Sequence, residues 1–309
     1  MATHLVPQLT LWFYKNFVSL WADGRADGIL SPHLTAIATL GEKNEENYMG
    51  KYKLSPQDYK KVKIDEELID LLNKKKWDEF NLSILGMGNL AEKSRVVSGI
   101  AAFFDLEGFT NFCKQIDPQL SVPVFLKKFL NWFFEKIKDE TKEAEHLEGI
   151  QTWHDLPILT KFLGDGLLVI WDIDQLDDIG QCNIITSCKK ICSAYESEFY
   201  QVIKKKVSDA PMKLRCGVAK GNVFSVGDGN DYIGPCINYA SRLQKLPGIT
   251  FAFSERGFDI EQSWGDFQLK QWIVKKIKVR GIGDSELVYI LKSNFESMST
   301  EDKQYFVDP

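Results

Sequence analysis

One β-type run ending in an acid and a glycine constrains this chain more than any other: Phe103-Phe104-Asp105-Leu106-Glu107-Gly108-Phe109-Thr110. Val96 to Phe104 is rich in β-branched and apolar residues, which predicts a buried strand. Asp105 stands at its end. Taken alone, the stretch reads as a strand closed by a turn, with Asp105 a solvated turn acid. A second β-type stretch, Ile158 to Trp171, carries Lys161-Phe162-Leu163-Gly164-Asp165-Gly166. Its pattern predicts a hairpin turning at Gly164-Asp165-Gly166. Two carboxylates, each beside rigid β-sequence and a glycine, suit a hard divalent cation. Such an ion takes oxygen ligands and leaves room for substrate phosphates.

The remaining pattern surrounds these two motifs with helices. Phe125, Leu126, Phe129, Leu130, Phe133 and Ile137 recur at three- and four-residue steps and predict an amphipathic helix over 122–137. A second helix is predicted over 177–205, with Cys188 and Cys192 on its core face, and a third over 236–246. Residues 139–153 read as an exposed helix end and loop. Short strands are expected over 214–218, 221–226, 250–254, 267–269, 273–279 and 286–291. Helices alternate with hairpins, so the fold class is α+β with a mixed or antiparallel sheet.

The chain of 309 residues is long enough for a domain with an extension. Residues 1–95 read as a mainly helical N-terminal extension, 96–292 as the chemistry-bearing domain and 293–309 as a polar tail. In the extension, Leu9, Trp12, Phe13, Phe17, Leu20 and Trp21 share a helical face, and Ile64 to Trp77 predicts a short helix ending in Lys74-Lys75-Lys76. No catalytic cluster is evident there. Covering the later domain or supporting dimerisation is the expected use. Leu9–Trp21 is too short to span a bilayer, and no cleavable leader is apparent. A cytoplasmic location is expected.

Net charge is −5, so bulk charge does not point to a nucleic-acid partner. The six cysteines form no C-x-x-C pair and the four histidines are scattered. Zinc is therefore not indicated, and free buried thiols are expected.

The motifs resemble, in order, those of the class III nucleotidyl cyclases. The two acid motifs are followed by Cys216-Gly217-Val218-Ala219-Lys220-Gly221-Asn222-Val223. Next comes Asp231-Tyr232-Ile233-Gly234-Pro235-Cys236-Ile237-Asn238-Tyr239-Ala240-Ser241-Arg242-Leu243, and last Val279-Arg280-Gly281-Ile282-Gly283. Each motif is weak alone; the ordered set is specific and covers about 96–292. The resemblance implies a phosphorus–oxygen lyase that joins the ribose 3′-oxygen of a nucleoside triphosphate to its α-phosphate and expels pyrophosphate. It implies two divalent ions, Mn²⁺ or Mg²⁺, held by Asp105, Asp165 and the backbone carbonyl of Leu106. It also implies Arg242 on the α-phosphate, Asn238 on the ribose and Arg280 on the triphosphate, where the family usually has lysine. Asn238 and Arg242, four apart, should share a helix face. Family sites lie between two chains, so a homodimer is implied. Lys275, Lys276 and Lys278 read as solvated.

Lys161 and Asp231 occupy the family's base-reading positions. A lysine donates to a ring nitrogen or carbonyl and an aspartate accepts from an exocyclic amine. Adenine and cytosine offer both features; uracil offers no amine. Phe103 and Phe104 are candidates to flank the nucleotide, and Phe104 would narrow the base pocket. The layout, a cyclase domain behind an uncharacterised extension, is similar to the freestanding pyrimidine cyclases of bacterial Pycsar antiphage systems. That likeness implies UTP or CTP as substrate, cyclic UMP or cyclic CMP as messenger, and an effector protein downstream. An adenylate cyclase is the competing expectation, and a degenerate nucleotide-binding module a third.

Overall fold

The computed structural model describes residues 52–64, 66–146 and 151–309, and for 142–146 and 151–154 the backbone alone. The predicted helix over 9–21 lies outside the described residues. The chain divides into two units, Met1–Gly86 and Met87–Pro309.

In the first unit, β1 (Tyr59–Ile64) and β2 (Glu67–Leu72) form an antiparallel hairpin. The helix expected over 64–77 is therefore not formed. Val62 and Ile64 favour extended backbone, and Glu66 turns the chain in the left-handed region, φ 73°. Helix α1 (Lys74–Glu79) begins where the prediction had a helix ending. The Asn73 side chain accepts from the Lys75 amide, 2.9 Å, and so caps a helix start.

The second unit is built on a mixed sheet. Its strands are β3 (Val96–Glu107), β6 (Leu159–Phe162), β7 (Gly166–Asp172), β8 (Lys213–Val226), β9 (Asp231–Ile233), β10 (Phe251–Ser254), β11 (Trp272–Val279) and β12 (Gly283–Leu291). The order is β11-β12-β10-β8-β3-β7-β6, with β9 folded back on β8. Only β8 and β10 pair in parallel; the other ladders are antiparallel. The α+β class with a mixed sheet holds.

Helices cover both faces. Alternation along β3 sends Ile100, Ala102, Phe104 and Leu106 to one face. They pack under α3 (Pro118–Thr141) and α4 (Asp178–Ala194), which continues through a π-helical turn, Tyr195–Tyr200, to Ile203. Phe125, Phe129, Phe133, Tyr195 and Phe199 fill this layer, with Phe129 and Tyr195 edge-to-face at 6.0 Å. The opposite face carries Val97 and Ala101 of β3 and Ala219 and Val223 of β8. It is covered by α5 (Pro235–Leu243), whose Cys236, Tyr239, Ala240 and Leu243 are buried.

Four local readings are corrected. Residues 214–226 form one strand, because Ala219 and Lys220 continue the ladder with β3 without interruption. The loop expected in 139–153 contains the hairpin β4 (Lys142–His146) with β5 (Gln151–His154). Residues 267–269, read as a strand, lie in the short helix α7 (Asp266–Leu269), which follows α6 (Ile260–Ser263). Its turn closes through Leu269 N–H donating to the Gly265 carbonyl, 3.1 Å. Lys275, read as solvated, has only 13% of its side chain exposed and pairs with Asp308 at 2.5 Å.

Residues 293–309 include α8 (Lys292–Ser297) and α9 (Thr300–Lys303). Met298 and Phe306 enter the second core, and Val307 bridges to Lys276 beside the β11 edge. Of the six cysteines only Cys113 is exposed, and all are free thiols. Burial raises Cys216 well above an ordinary thiol, next to Cys188 and Cys192. No described helix is long and apolar enough to cross a membrane.

Candidate functional site

Strand register brings the two acids together. Asp105 lies directly opposite Gly166 in the β3–β7 ladder, one residue from Asp165. The Leu106 N–H donates to the Asp165 carbonyl at 3.0 Å, tying the β6–β7 turn to the end of β3. Gly164 takes φ 94° in that turn, a conformation that L side chains resist. Gly166 is required for a different reason. A Cβ there would overlap the Phe104 carbonyl and lie 3.2 Å from Phe103 Cε1. Sixty residues separate the acids in sequence, yet they end on neighbouring strand ends.

Asp105 is 7% exposed. Its Oδ2 accepts from Arg215 Nη2 at 2.5 Å. The two residues face each other across the β3–β8 ladder, and Arg215 also lies 3.9 Å from Glu107. Arg215 Nε, the atom that approaches Glu107, is buried and makes no hydrogen bond. The sequence reading missed Arg215, taking its motif from Cys216 onward. The missing signal is the register that places residue 215 opposite residue 105, which exists only once the strands pair.

The donor set fits a hard cation. Asp165 is half-buried, and its carboxylate has no hydrogen bond or ion pair among the described residues. No described group of three or more His, Cys, Asp or Glu side chains is placed to hold a metal. Two carboxylates, one of them already accepting from Arg215, do not fill the shell of such an ion, so an ion bound here would need carbonyl, water or phosphate oxygens as well. That is the arrangement Mg²⁺ and similar ions adopt with nucleotides. Leu106 has a buried side chain, so only its backbone could serve a cation.

Phe103 and Phe104 separate by strand alternation. Phe103 is half-buried, next to Gly166, on the face that carries Asp105. Phe104 is fully buried on the other face, edge-to-face with Phe133 at 4.9 Å. Its expected place beside the nucleotide is corrected: one residue of register turns its ring into the helix-covered core.

Helix α5 carries Asn238 and Arg242, both exposed, on the face opposite its buried Cys236, Tyr239, Ala240 and Leu243. Pro235 opens the helix with a fixed φ. The helix seats closely on β8 because the strand presents Gly217, Ala219 and Gly221 there. A Cβ at Gly217 would lie 2.5 Å from the Gln244 nitrogen.

Lys161 on β6 and Asp231 at the start of β9 are brought into an ion pair through Asp231 Oδ2. Asp231 Oδ1 accepts from the Tyr232 N–H at 2.9 Å. Both carboxylate oxygens are thus engaged. Arg280 is exposed in the β11–β12 turn, beside Gly281 at φ 79°. No hydrogen bond or ion pair among the described residues joins the Asp105–Asp165 pair to Asn238, Arg242 or Arg280.

No family model and no curated protein matches the sequence. Solved structures similar to the chain include the adenylyl cyclase CyaB from P. aeruginosa, at 15% identity and TM-score 0.49, covering 68% of this chain and 99% of that one. A bacterial light-regulated adenylyl cyclase gives 16% identity and TM-score 0.47, covering 88% and 67%. The guanylate cyclase domain of RhGC from Catenaria anguillulae, solved in complex with GTP, gives 15% identity and TM-score 0.44, covering 64% and 98%.

Proposed function

We propose that this chain is a nucleotidyl cyclase that converts a nucleoside triphosphate to a 3′,5′-cyclic nucleotide and pyrophosphate. The observation carrying the reading is the convergence of Asp105 and Asp165, distant in sequence, on adjoining strand ends. Two divalent ions bound there would activate the 3′-oxygen and neutralise charge on the phosphates. The chain's own groups do the rest. Asn238 orients the ribose. Arg242 meets charge growing on the α-phosphate, and Arg280 holds the triphosphate; both contacts are the electrostatic kind that lowers such barriers. Arg215 supplies a further cation beside the carboxylate pair. Within one chain no hydrogen bond or ion pair among the described residues joins Asp105 or Asp165 to Asn238, Arg242 or Arg280, which supports a reading with the working site between two copies.

A pyrimidine triphosphate, UTP or CTP, is the favoured substrate. Asp231 accepts from Lys161 and from the Tyr232 amide; its remaining lone pairs can still take an exocyclic amine, as on cytosine, while uracil asks none of it. Lys161 keeps donors for a base carbonyl. The same pair, if opened, would suit adenine, so cyclic AMP synthesis is the second reading. The pyrimidine product would serve as messenger to a cyclic-nucleotide-responsive effector in antiphage defence. The test is to incubate the protein with ATP, GTP, CTP and UTP separately, with Mn²⁺ or Mg²⁺, and weigh the products. Cyclic UMP or cyclic CMP supports the pyrimidine reading. Cyclic AMP alone replaces it with the second. No product from any of the four overturns the cyclase reading.

A further inference from the structure

We infer that Glu286 is a positioning residue that sets α5 and the β11–β12 turn relative to each other, and through them Arg242 and Arg280. The inference rests on the cyclase reading above.

Glu286 is 3% exposed on β12, on the sheet face that α5 covers. A carboxylate there is costly to bury unless it is fully partnered. Its partners come from separate segments. Tyr239 of α5 donates its hydroxyl to Oε2 at 3.1 Å. Arg256, just beyond β10, donates Nη2 to Oε1 at 2.5 Å. The Arg256 amide in turn donates to the Ser254 hydroxyl at 3.1 Å.

The turn is fitted to the same carboxylate. Gly283 closes the Arg280-Gly281-Ile282 turn, opposite Val279. A Cβ on Gly283 would overlap Oε1 and lie 3.0 Å from Cδ of Glu286. The ladder is irregular between Ile277 and Val279, opposite this region. The turn therefore packs directly on the carboxylate that holds α5. Tyr239 sits between Asn238 and Ala240, so its hydroxyl fixes the rotation of the helix about its axis. That rotation decides where Asn238 and Arg242 point. Burial raises the Tyr239 hydroxyl above an ordinary phenol, which keeps it a donor.

The two arms predict different kinetics. Arg242 acts on charge that develops during reaction, so misplacing it lowers kcat. Arg280 binds the triphosphate already present in the substrate, so misplacing it raises KM. Tyr239→Phe removes one oxygen and releases only the helix arm. Glu286→Gln weakens both arms. With the substrate identified above, Tyr239→Phe should lower kcat about tenfold, KM staying within about twofold. Glu286→Gln should lower kcat similarly and raise KM about tenfold, and inhibition by inorganic tripolyphosphate should weaken by the same factor. The double variant should match Glu286→Gln, since both changes break one linkage.

Each variant is first checked by circular dichroism and melting, and assayed well below its midpoint. Folded variants with wild-type kcat, KM and tripolyphosphate inhibition overturn the inference while leaving the cyclase reading intact. Equal losses in kcat alone from both variants overturn the coupling to the turn. A wild-type protein that makes no cyclic nucleotide from any triphosphate overturns the cyclase reading, and this inference with it.

Discussion

The two faces of one sheet differ sharply in what covers them. The α3–α4 face is sealed by large rings: Phe104, Phe129, Phe133, Tyr195 and Phe199 are nearly or wholly buried. The α5 face is lined at its contact with β8 by Gly217, Ala219 and Gly221. Thick aromatic packing supplies burial and tolerates no water. A glycine-lined seat brings the helix within van der Waals reach of the strand, and the burial on this side comes from the aliphatic residues around it, such as Leu243, Val288 and Ile290. The comparison teaches that β3 serves two cores at once: its even-numbered residues pack under the aromatic layer, while its odd-numbered residues start as core at Val97 and Ala101 and end at Phe103 and the proposed site acid Asp105.

The comparison can be broken most directly at Asp105. Asp105→Asn should reduce turnover about a thousandfold or more, by removing the carboxylate proposed to hold metal while leaving the strand intact. Turnover measured beside a far-UV spectrum checks this; surviving activity removes Asp105 from the site. Gly217→Val should follow, with about a hundredfold loss of kcat from a displaced α5 and about 1–3 kcal/mol of overpacking cost. Denaturant unfolding separates the two effects.

The other face should behave in the opposite way. Phe129→Ala should cost about 3–5 kcal/mol of stability, with kcat per folded molecule unchanged at a temperature where the variant is folded. Lost kcat in fully folded variant would show that the faces are not independent. The smallest effect concerns Cys236, under the first turn of α5, whose thiol burial pushes up to about 11 from 9.0. The folded state holds this proton more tightly than the unfolded chain. Stability is therefore level below about pH 9 and falls as pH rises towards 11, by at most about 2–3 kcal/mol from this group. Cys236→Ala should lessen but not abolish the decline between pH 9 and 10 in urea midpoints, because burial also raises Cys182 and Cys216 and the buried tyrosines begin to add near pH 10.

Much of this was legible in the residues. Val96–Phe104 announced a strand because β-branched and apolar residues run without a break, and the aromatic stripe of α3 announced its own helix. Asn238 and Arg242 shared a predicted face because helical spacing is local. The hairpin Tyr59–Leu72 was misread because leucines at 68, 71 and 72 satisfy a helical pattern as well as a paired strand. The stretch 267–269 was misread because three residues give no periodicity to decide between strand and helix.

Sequence by itself determined the acid motifs, their order, the α+β class and the helix that carries Asn238 and Arg242, since spacing and side-chain chemistry are local properties. Only tertiary structure decided that Asp105 meets Asp165 and Arg215, that Lys161 meets Asp231, and that Phe104 turns into the core. Those outcomes depend on register between strands far apart in the chain. A shift of a single residue exchanges the two faces of a strand, and nothing within the strand's own sequence fixes that choice.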